Sequence, residues 1–170
     1  RFCKIGFKQK QLEEETNINI MMKTQLLIGF ALVVVSQCMI IKYKKCSSPA
    51  SSAVVGDVVI SPCDNQPCQF IRGGNANIQI HFQAKKDNSN ITTIVKGKIG
   101  PLWVPFPLSQ PDGCLNDGII CPVKTDQQYV YSYDLPISKS YPAISVVVSW
   151  ELQDENGNDL VCIQFPIKLV

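Results

Sequence analysis

Residues 143–169 read AISVVVSWELQDENGNDLVCIQFPIKL, and they contain two runs in which apolar residues occupy every second position. The apolar positions are Ile144, Val146, Val148, Trp150 and Leu152 in the first run and Val161, Ile163, Phe165, Ile167 and Leu169 in the second. A period of two is typical of a β-strand with one buried face. Between the runs, residues 154–158 contain an Asn-Gly pair, which accepts positive φ at both central positions of a tight turn. The pattern predicts a hairpin of two long strands.

Strand patterns continue upstream of this hairpin. Residues 77–83 alternate apolar and polar side chains, residues 91–99 favour β-structure, and residues 129–135 place tyrosines and a leucine on one face. No helical stripe of useful length appears after residue 45. About seven short strands separated by turn signals indicate an all-β, immunoglobulin-like β-sandwich.

One segment is unusual for a strand. Residues 100–108 read GPLWVPFPL, which is strongly apolar and carries three prolines. Because proline cannot donate a hydrogen bond to a central ladder, we expect this segment at a sheet edge or at a cavity mouth. Two interpretations stay open: its apolar residues fold over the core as a loop, or they form the rim of an apolar ligand site.

The first part of the chain has the pattern of removable sequence. A basic start, an apolar run at residues 26–35 and small or polar residues after it form the layout of a secretory signal peptide. The run is too short to span a bilayer comfortably, which takes about 20 residues, although an uncleaved anchor is the alternative. We therefore expect residues 1–20 to be a non-native extension, 21–38 a signal peptide, and 39–170 a secreted domain. The lysosomal lumen is a second possible destination.

Six of the eight cysteines lie in the predicted mature domain. An even number of cysteines behind a signal peptide indicates a disulfide framework, and six cysteines allow fifteen pairings. Spacing favours two local bridges, each around a short polar loop, and leaves the cysteines near the two ends as the third pair. The resulting pairs are Cys63 with Cys68, Cys114 with Cys121, and Cys46 with Cys162. A zinc site of thiolates is the alternative, but the spacings fit its arms badly, so we expect no metal.

Several function classes find no support in the mature sequence. From residue 37 onward, 11 lysines and arginines balance 11 aspartates and glutamates, so nucleic acid, which requires a dense cationic surface, is not an expected partner. The single histidine, His81, falls on the polar face of its strand, and no Gly-rich phosphate loop or G-x-S-x-G turn is present. Asp112, Asp117 and Asp126 are near in sequence, but they lie in polar loops where we expect them to be solvated. The chain is therefore not expected to be an enzyme.

Asn90 begins the sequence Asn-Ile-Thr, which fits the N-glycosylation sequon. A loop is expected at this position, between two lysines and the next strand. Because sequons are used in the secretory pathway, the predicted signal peptide and the sequon agree. We predict Asn90 as a glycosylation site.

A series of short motifs follows one order along the mature chain. They are VVISPC at 58–63, QPC at 66–68, VPFP at 104–107, PDGC at 111–114, CP at 121–122, LPI at 135–137, YP at 141–142, SWELQD at 149–154, and the late Cys162. Together these motifs resemble the ML lipid-recognition domain family, and within it the Niemann–Pick type C2 branch. The resemblance covers about residues 43–170, and several motifs in the right order are more specific than any one of them.

The resemblance implies two sheets that splay apart to hold one apolar ligand, commonly cholesterol. It also implies the same three disulfides that the spacing favours. The residues of the family's sterol pocket fall on Phe106, Ile137 and Tyr141, with Val104 and Trp150 nearby.

The implied function is that of a secreted lipid carrier, a monomer without a cofactor, which passes a sterol between membranes or to a receptor. Transient membrane contact is expected at residues 101–108, where Lys96 and Lys98 would add attraction to anionic lipid. Two alternatives remain: an extracellular carrier of fatty acids or chemical signals, and an innate-immune lipid-recognition module.

Overall fold

The computed structural model describes residues 38–47 and 51–170. The expected extension at 1–20 and all but the last residue of the expected signal peptide at 21–38 lie outside the described residues. Ten β-strands and no helix occupy the described part of the chain. They are β1 (Met39–Ile40), β2 (Lys44–Lys45), β3 (Ala53–Ser61), β4 (Cys68–Phe70), β5 (Asn75–Ala84), β6 (Thr92–Ile99), β7 (Leu102–Phe106), β8 (Gln128–Pro136), β9 (Ser145–Gln153) and β10 (Asp159–Leu169). No helix long and apolar enough to cross a bilayer occurs among these residues.

The strands form two sheets packed as a sandwich. One sheet has four strands in the order β1-β3-β5-β8, and the other has six, in the order β2-β10-β9-β6-β7 with β4 also on β10. Neighbouring strands are antiparallel except β4, which runs parallel to β10. The all-β sandwich expected from the sequence is confirmed. The strands beyond the expected seven are β1, β2 and β4, which are only two or three residues long.

The β9–β10 hairpin predicted from residues 143–169 is confirmed. In its register Trp150 lies opposite Ile163 and Val148 lies opposite Phe165. Because paired residues point to the same face of a sheet, the apolar positions of both strands share the inner face.

The turn of this hairpin differs from the prediction. Only Gly157 takes a positive φ, of 77°, whereas Asn156 does not. The Gly157 N–H donates to the Asp154 carbonyl over 3.0 Å, and the Asp154 N–H donates to the Asn158 carbonyl over 2.9 Å. The connection is therefore a longer loop that needs one glycine near its end, rather than a two-residue turn that needs positive φ twice.

Alternating side chains from both sheets build one apolar core. Trp150, Tyr131, Ile80 and Ile163 are at most 1% exposed. The Trp150 ring meets the rings of Tyr131 and Tyr133 edge to face, with centroids 6.2 and 5.8 Å apart. Since burying a large apolar side chain contributes about 1.5–3 kcal/mol, the packing between the two inner faces is the main stabilising term.

The proline-bearing segment forms an edge strand, as predicted. β7 is the last strand of its sheet and pairs only with β6, with Val104 opposite Gly97 and Pro105 opposite Lys96. Pro105 has no N–H group to offer a further strand, so this edge position leaves no backbone donor unpaired at that residue.

Three disulfides join two described cysteines each, and their pairing confirms the prediction. They join Cys46 to Cys162, Cys63 to Cys68, and Cys114 to Cys121. The first fastens the short β2 region to β10, the second links the ends of β3 and β4, and the third closes a loop.

Candidate functional site

A small cavity of about 40 Å³ lies between the two sheets. Apart from Asn77, every residue that lines it is aliphatic or aromatic. The other lining residues are Phe70, Ala76, Ile78, Val95, Phe106, Leu135, Ile137, Tyr141, Val146, Val148, Trp150, Phe165, Ile167 and Leu169. The Asn77 side-chain amide donates to Ser132 Oγ and Asp134 Oδ1, so its polar group is already bonded.

The strand period explains how these side chains reach the cavity. Val146, Val148 and Trp150 are the inward positions of β9, and Phe165 and Ile167 are the inward positions of β10 opposite them. β5 supplies the alternate apolar residues Ala76 and Ile78 from the facing sheet, and Asn77 between them also lines the cavity. The apolar wall is thus a direct result of the alternation in the sequence.

A groove of about 320 Å³ on the surface lies beside the cavity and shares four lining residues with it. The shared residues are Phe106, Leu135, Ile137 and Tyr141. The rings of Phe106 and Tyr141 meet edge to face with centroids 5.1 Å apart. Side chains, which can change rotamer, therefore form the wall between the cavity and the groove.

Four of the five predicted ligand contacts line this cavity, namely Phe106, Ile137, Tyr141 and Trp150. Val104 is not among the lining residues and is 38% exposed. Alternation puts Val104 on the same side of β7 as Phe106, but Val104 is two residues nearer the beginning of the strand, beyond the cavity.

Some of the remaining residues at the cavity could be predicted from sequence patterns, and others could not. Leu135 could be found, because alternation in residues 129–135 places it with the inward tyrosines. Phe70 could not, because β4 is too short to show a period. Gly97 was also missed: a Cβ there would lie 2.9 Å from Cε2 of Phe106, so the missing side chain makes room for that ring against β6.

Trp103 lies on the other side of β7 from Phe106. It lines a polar groove on the outer face of the six-stranded sheet, and the Lys98 ammonium lies 5.8 Å from its ring centroid. The expectation that all of residues 101–108 form the cavity mouth is therefore only partly met. Phe106 lines the cavity, Pro107 and Leu108 line the adjoining groove, and Trp103 lines neither.

The charged residues of the prediction are distributed away from the cavity. Lys96 donates to both carboxylate oxygens of Glu151 at 2.9 Å on the outer face of the sheet. Asp126 is exposed, as expected, and pairs with Lys85. The prediction that Asp117 is solvated was wrong: it is 6% exposed, because its loop packs against β8.

Among the described residues, no cluster of three or more histidine, cysteine, aspartate or glutamate side chains could hold a metal ion.

The remaining predicted surface residues lie in accessible positions. Asn90 is exposed in the loop before β6, where a glycan has room, and its modification stays a prediction. His81 is on the outer side of β5, paired with Val130, as alternation predicted.

A two-sheet sandwich with an apolar cavity between its sheets defines the class of ML domains, and the ML domain model matches residues 41–169. The chain belongs to the ML domain family. It is 37% identical over 139 residues to mouse "NPC intracellular cholesterol transporter 2", covering 82% of this chain and 91% of the relative. It is 38% identical over 114 residues to the Drosophila melanogaster homolog a of that transporter, covering 66% of this chain and 77% of the relative.

A solved structure extends the similarity to three dimensions. The Niemann-Pick type C2 protein of the Japanese carpenter ant superposes with a TM-score of 0.71 at 28% identity, covering 76% of this chain and all of that one. Together these relatives assign the chain to the Niemann–Pick type C2 branch, as the motifs indicated.

Proposed function

We propose that this protein is a non-catalytic carrier that binds one sterol, or a similar apolar lipid, between its sheets. The observation that carries the proposal is the apolar cavity, closed from a surface groove by Phe106, Leu135, Ile137 and Tyr141. The two relatives named as cholesterol transporters support the choice of ligand class.

The cavity is smaller than a typical ligand site, so ligand binding must widen it. Sites for drug-sized ligands measure about 300–1,000 Å³, whereas this cavity measures about 40 Å³. Rotation of the four shared side chains would join the cavity to the groove of about 320 Å³ and bring the volume into that range. Ligand entry therefore requires those side chains to move and the sheets to separate at that end.

Apolar burial is sufficient to supply the affinity. A sterol has about 28 heavy atoms, and at roughly 0.3 kcal/mol per atom the binding free energy is about 8 kcal/mol, which corresponds to a micromolar Kd. Because this driving force is nondirectional, it needs no polar constellation in the wall.

A pair of matched variants tests the cavity. Ile137→Asp places an unpaired carboxylate where the native residue is 4% exposed, and we expect binding of a fluorescent sterol to fall by at least tenfold. Val54→Asp makes the same chemical change at a residue that is 52% exposed, and binding should remain at the parent level. Fluorescence titration measures both, with circular dichroism as the check on folding.

A second variant distinguishes a loss of ligand contacts from a general loss of stability. Phe106→Ala keeps the wall apolar but removes one side of the Phe106–Tyr141 contact, and it should weaken sterol uptake more than it lowers the melting temperature. If both Ile137→Asp and Phe106→Ala fold and bind like the parent, the cavity is not the ligand site. Native mass spectrometry of the purified protein with its co-isolated lipid distinguishes a sterol from fatty acids or a multi-chain lipid.

The proposal also covers how the bound lipid is delivered. We infer that the carrier is a secreted, glycosylated monomer, found outside the cell or in the lysosomal lumen, which passes its lipid to a membrane or a membrane receptor. β7 and its approach supply the contact surface, since Ile99, Leu102, Trp103 and Val104 are all more than a third exposed. Lys98 adds positive charge there, whereas the charge of Lys96 is balanced by Glu151.

A further inference from the structure

The loop closed by Cys114 and Cys121 lies along the free edge of β8, the last strand of the four-stranded sheet. The Ser132 N–H of β8 donates to the Asp117 carbonyl over 2.8 Å. Gly118 has a φ of 81°, and a Cβ there would lie 2.7 Å from the Val130 carbonyl oxygen. The backbone of the loop is therefore in direct contact with the backbone of the strand edge.

Two side chains of this loop are buried against the sheet. Ile119 is 2% exposed, which anchors the loop by apolar contact. Asp117 is 6% exposed, and its Oδ2 atom is buried without a hydrogen-bond partner. If the carboxyl group is ionised, this oxygen has neither water nor a hydrogen-bond donor to solvate its charge, which is costly.

The groups around Asp117 increase this cost. Asp112 approaches from the start of the loop and Asp134 from β8, and both repel a negative charge on Asp117; the Tyr131 phenol of β8 also lies within its electrostatic range. None of the ion pairs among the described residues involves Asp117. Burial first, and then Asp112 and Asp134, raise the pKa of Asp117 to about 7.

We propose that residues 114–121 form an acid-fastened strap over the edge of β8, held down when Asp117 carries a proton and loosened when it does not. The neutral carboxyl group is compatible with its buried site, whereas the carboxylate regains water only if the loop lifts. Lifting breaks the Ser132–Asp117 hydrogen bond and exposes Ile119 together with the strand edge. This inference does not depend on the proposed lipid function, because it concerns the far edge of β8.

The direction of the pH dependence follows from proton linkage. An aspartate in a lifted, solvated loop has a pKa near 3.9, whereas the docked group has a pKa of about 7. The docked state therefore binds the proton more tightly, so docking is strongest below about pH 4 and weakens as the pH rises to about 7. Above that pH both states are ionised, and no further change is expected.

Hydrogen exchange of the ligand-free protein tests the proposal. After correction for intrinsic exchange rates, we expect the opening equilibrium of residues 115–120 and of the Ser132 amide to rise by roughly 50-fold between about pH 5 and pH 7. Asp117→Asn keeps the shape and removes the charge, so its loop should remain protected at both pH values. Asp126→Asn, at an exposed carboxylate, is the matched control and should behave like the parent.

A direct titration keeps the proposal testable if Asp117→Asn does not fold. The carboxyl carbon of Asp117, followed by NMR in the parent protein, should titrate above about pH 6. An Asp117 pKa below about 5, or equal loop protection at both pH values, would overturn the strap. Retention of the full pH dependence in Asp117→Asn would overturn it as well.

Discussion

At the scale of single residues, Asp154 organises the β9–β10 connection. Its Oδ1 atom accepts from the backbone N–H groups of Asn156 and Asn158, each over 2.9 Å, and its Oδ2 atom pairs with the Lys86 ammonium. Burial alone would raise the pKa of Asp154, but Lys86 and these backbone donors lower it to about 2. The carboxylate thus connects the hairpin to the loop that follows β5.

Replacing Asp154 with asparagine should lower the free energy of unfolding by about 1–3 kcal/mol, because charge-assisted hydrogen bonds are lost at a buried position. Since the folded-state pKa is depressed, this contribution is complete above about pH 4 and is lost as the pH falls toward 2. Denaturant unfolding at neutral pH measures the difference. Asp126→Asn removes an exposed pair and should change stability by less than about 0.5 kcal/mol; equal effects of the two changes would contradict this role for Asp154.

At the scale of elements, β7 combines a structural role with an exposed apolar surface. It closes one edge of the six-stranded sheet, and its two faces present different residues. Leu102 is 67% exposed on the side of Phe106, while Trp103 is 38% exposed on the outer side above Lys98. Because the start of β7 is apolar on both faces, it can enter a lipid interface without placing a polar side chain in the apolar layer.

Leu102→Ser should slow the transfer of a fluorescent sterol to anionic vesicles by roughly tenfold or more, because full burial of one leucine at the interface is worth about 1.5–3 kcal/mol. Trp103→Ser should act in the same direction, and equilibrium sterol binding should stay near the parent value because neither residue lines the cavity. Stopped-flow transfer assays measure the rate.

Leu115→Ser is the matched control, since Leu115 is 53% exposed in a different loop. It should transfer sterol at the parent rate. Added salt should slow transfer by the parent only modestly. Of the two lysines expected to attract anionic lipid, Lys96 is balanced by Glu151, so Lys98 alone contributes positive charge. If Leu102→Ser and Leu115→Ser transfer equally fast, β7 is not the membrane contact.

At the scale of the whole molecule, the three disulfides between described cysteines leave most strands on the two sides of the cavity unlinked, and of these three only Cys63–Cys68 joins one sheet to the other, at the end of β3 and the start of β4. Cys46–Cys162 spans 116 residues but joins two neighbouring parts of one sheet. Cys63–Cys68 and Cys114–Cys121 span 5 and 7 residues. The strands that face each other across the cavity, such as β5 and β9, are held by apolar packing, which can yield to a ligand.

Removal of the long bridge should be more costly than removal of a short one. In the chain-entropy model, closing a loop of this length contributes about 5 kcal/mol, whereas a five-residue loop contributes about 2 kcal/mol. We therefore expect the Cys46→Ser/Cys162→Ser double variant to lose about twice the unfolding free energy of Cys63→Ser/Cys68→Ser. Thermal and denaturant unfolding measure the two losses, and an equal or reversed order would show that native-state contacts outweigh loop entropy.

The sequence determined the sandwich, the long hairpin, the edge position of residues 100–108 and the three disulfide pairs. Alternation, proline chemistry and the close spacing of two cysteine pairs are local properties of the sequence. Once those two pairs are assigned, Cys46 and Cys162 remain as the third pair. The cavity contacts Phe106, Ile137, Tyr141 and Trp150 came from resemblance to a family, and the structure brings them together. Alternation already places Trp103 on the opposite side of β7 from Phe106. Tertiary structure alone decided that Val104 lies outside the cavity, that Phe70 lines it and that Asp117 is buried. Those outcomes depend on how far one sheet extends over the other and on which loop packs against a strand edge. The overlap of the sheets and the docking of the loop are set by contacts between residues far apart in the chain, so no local sequence pattern predicts them.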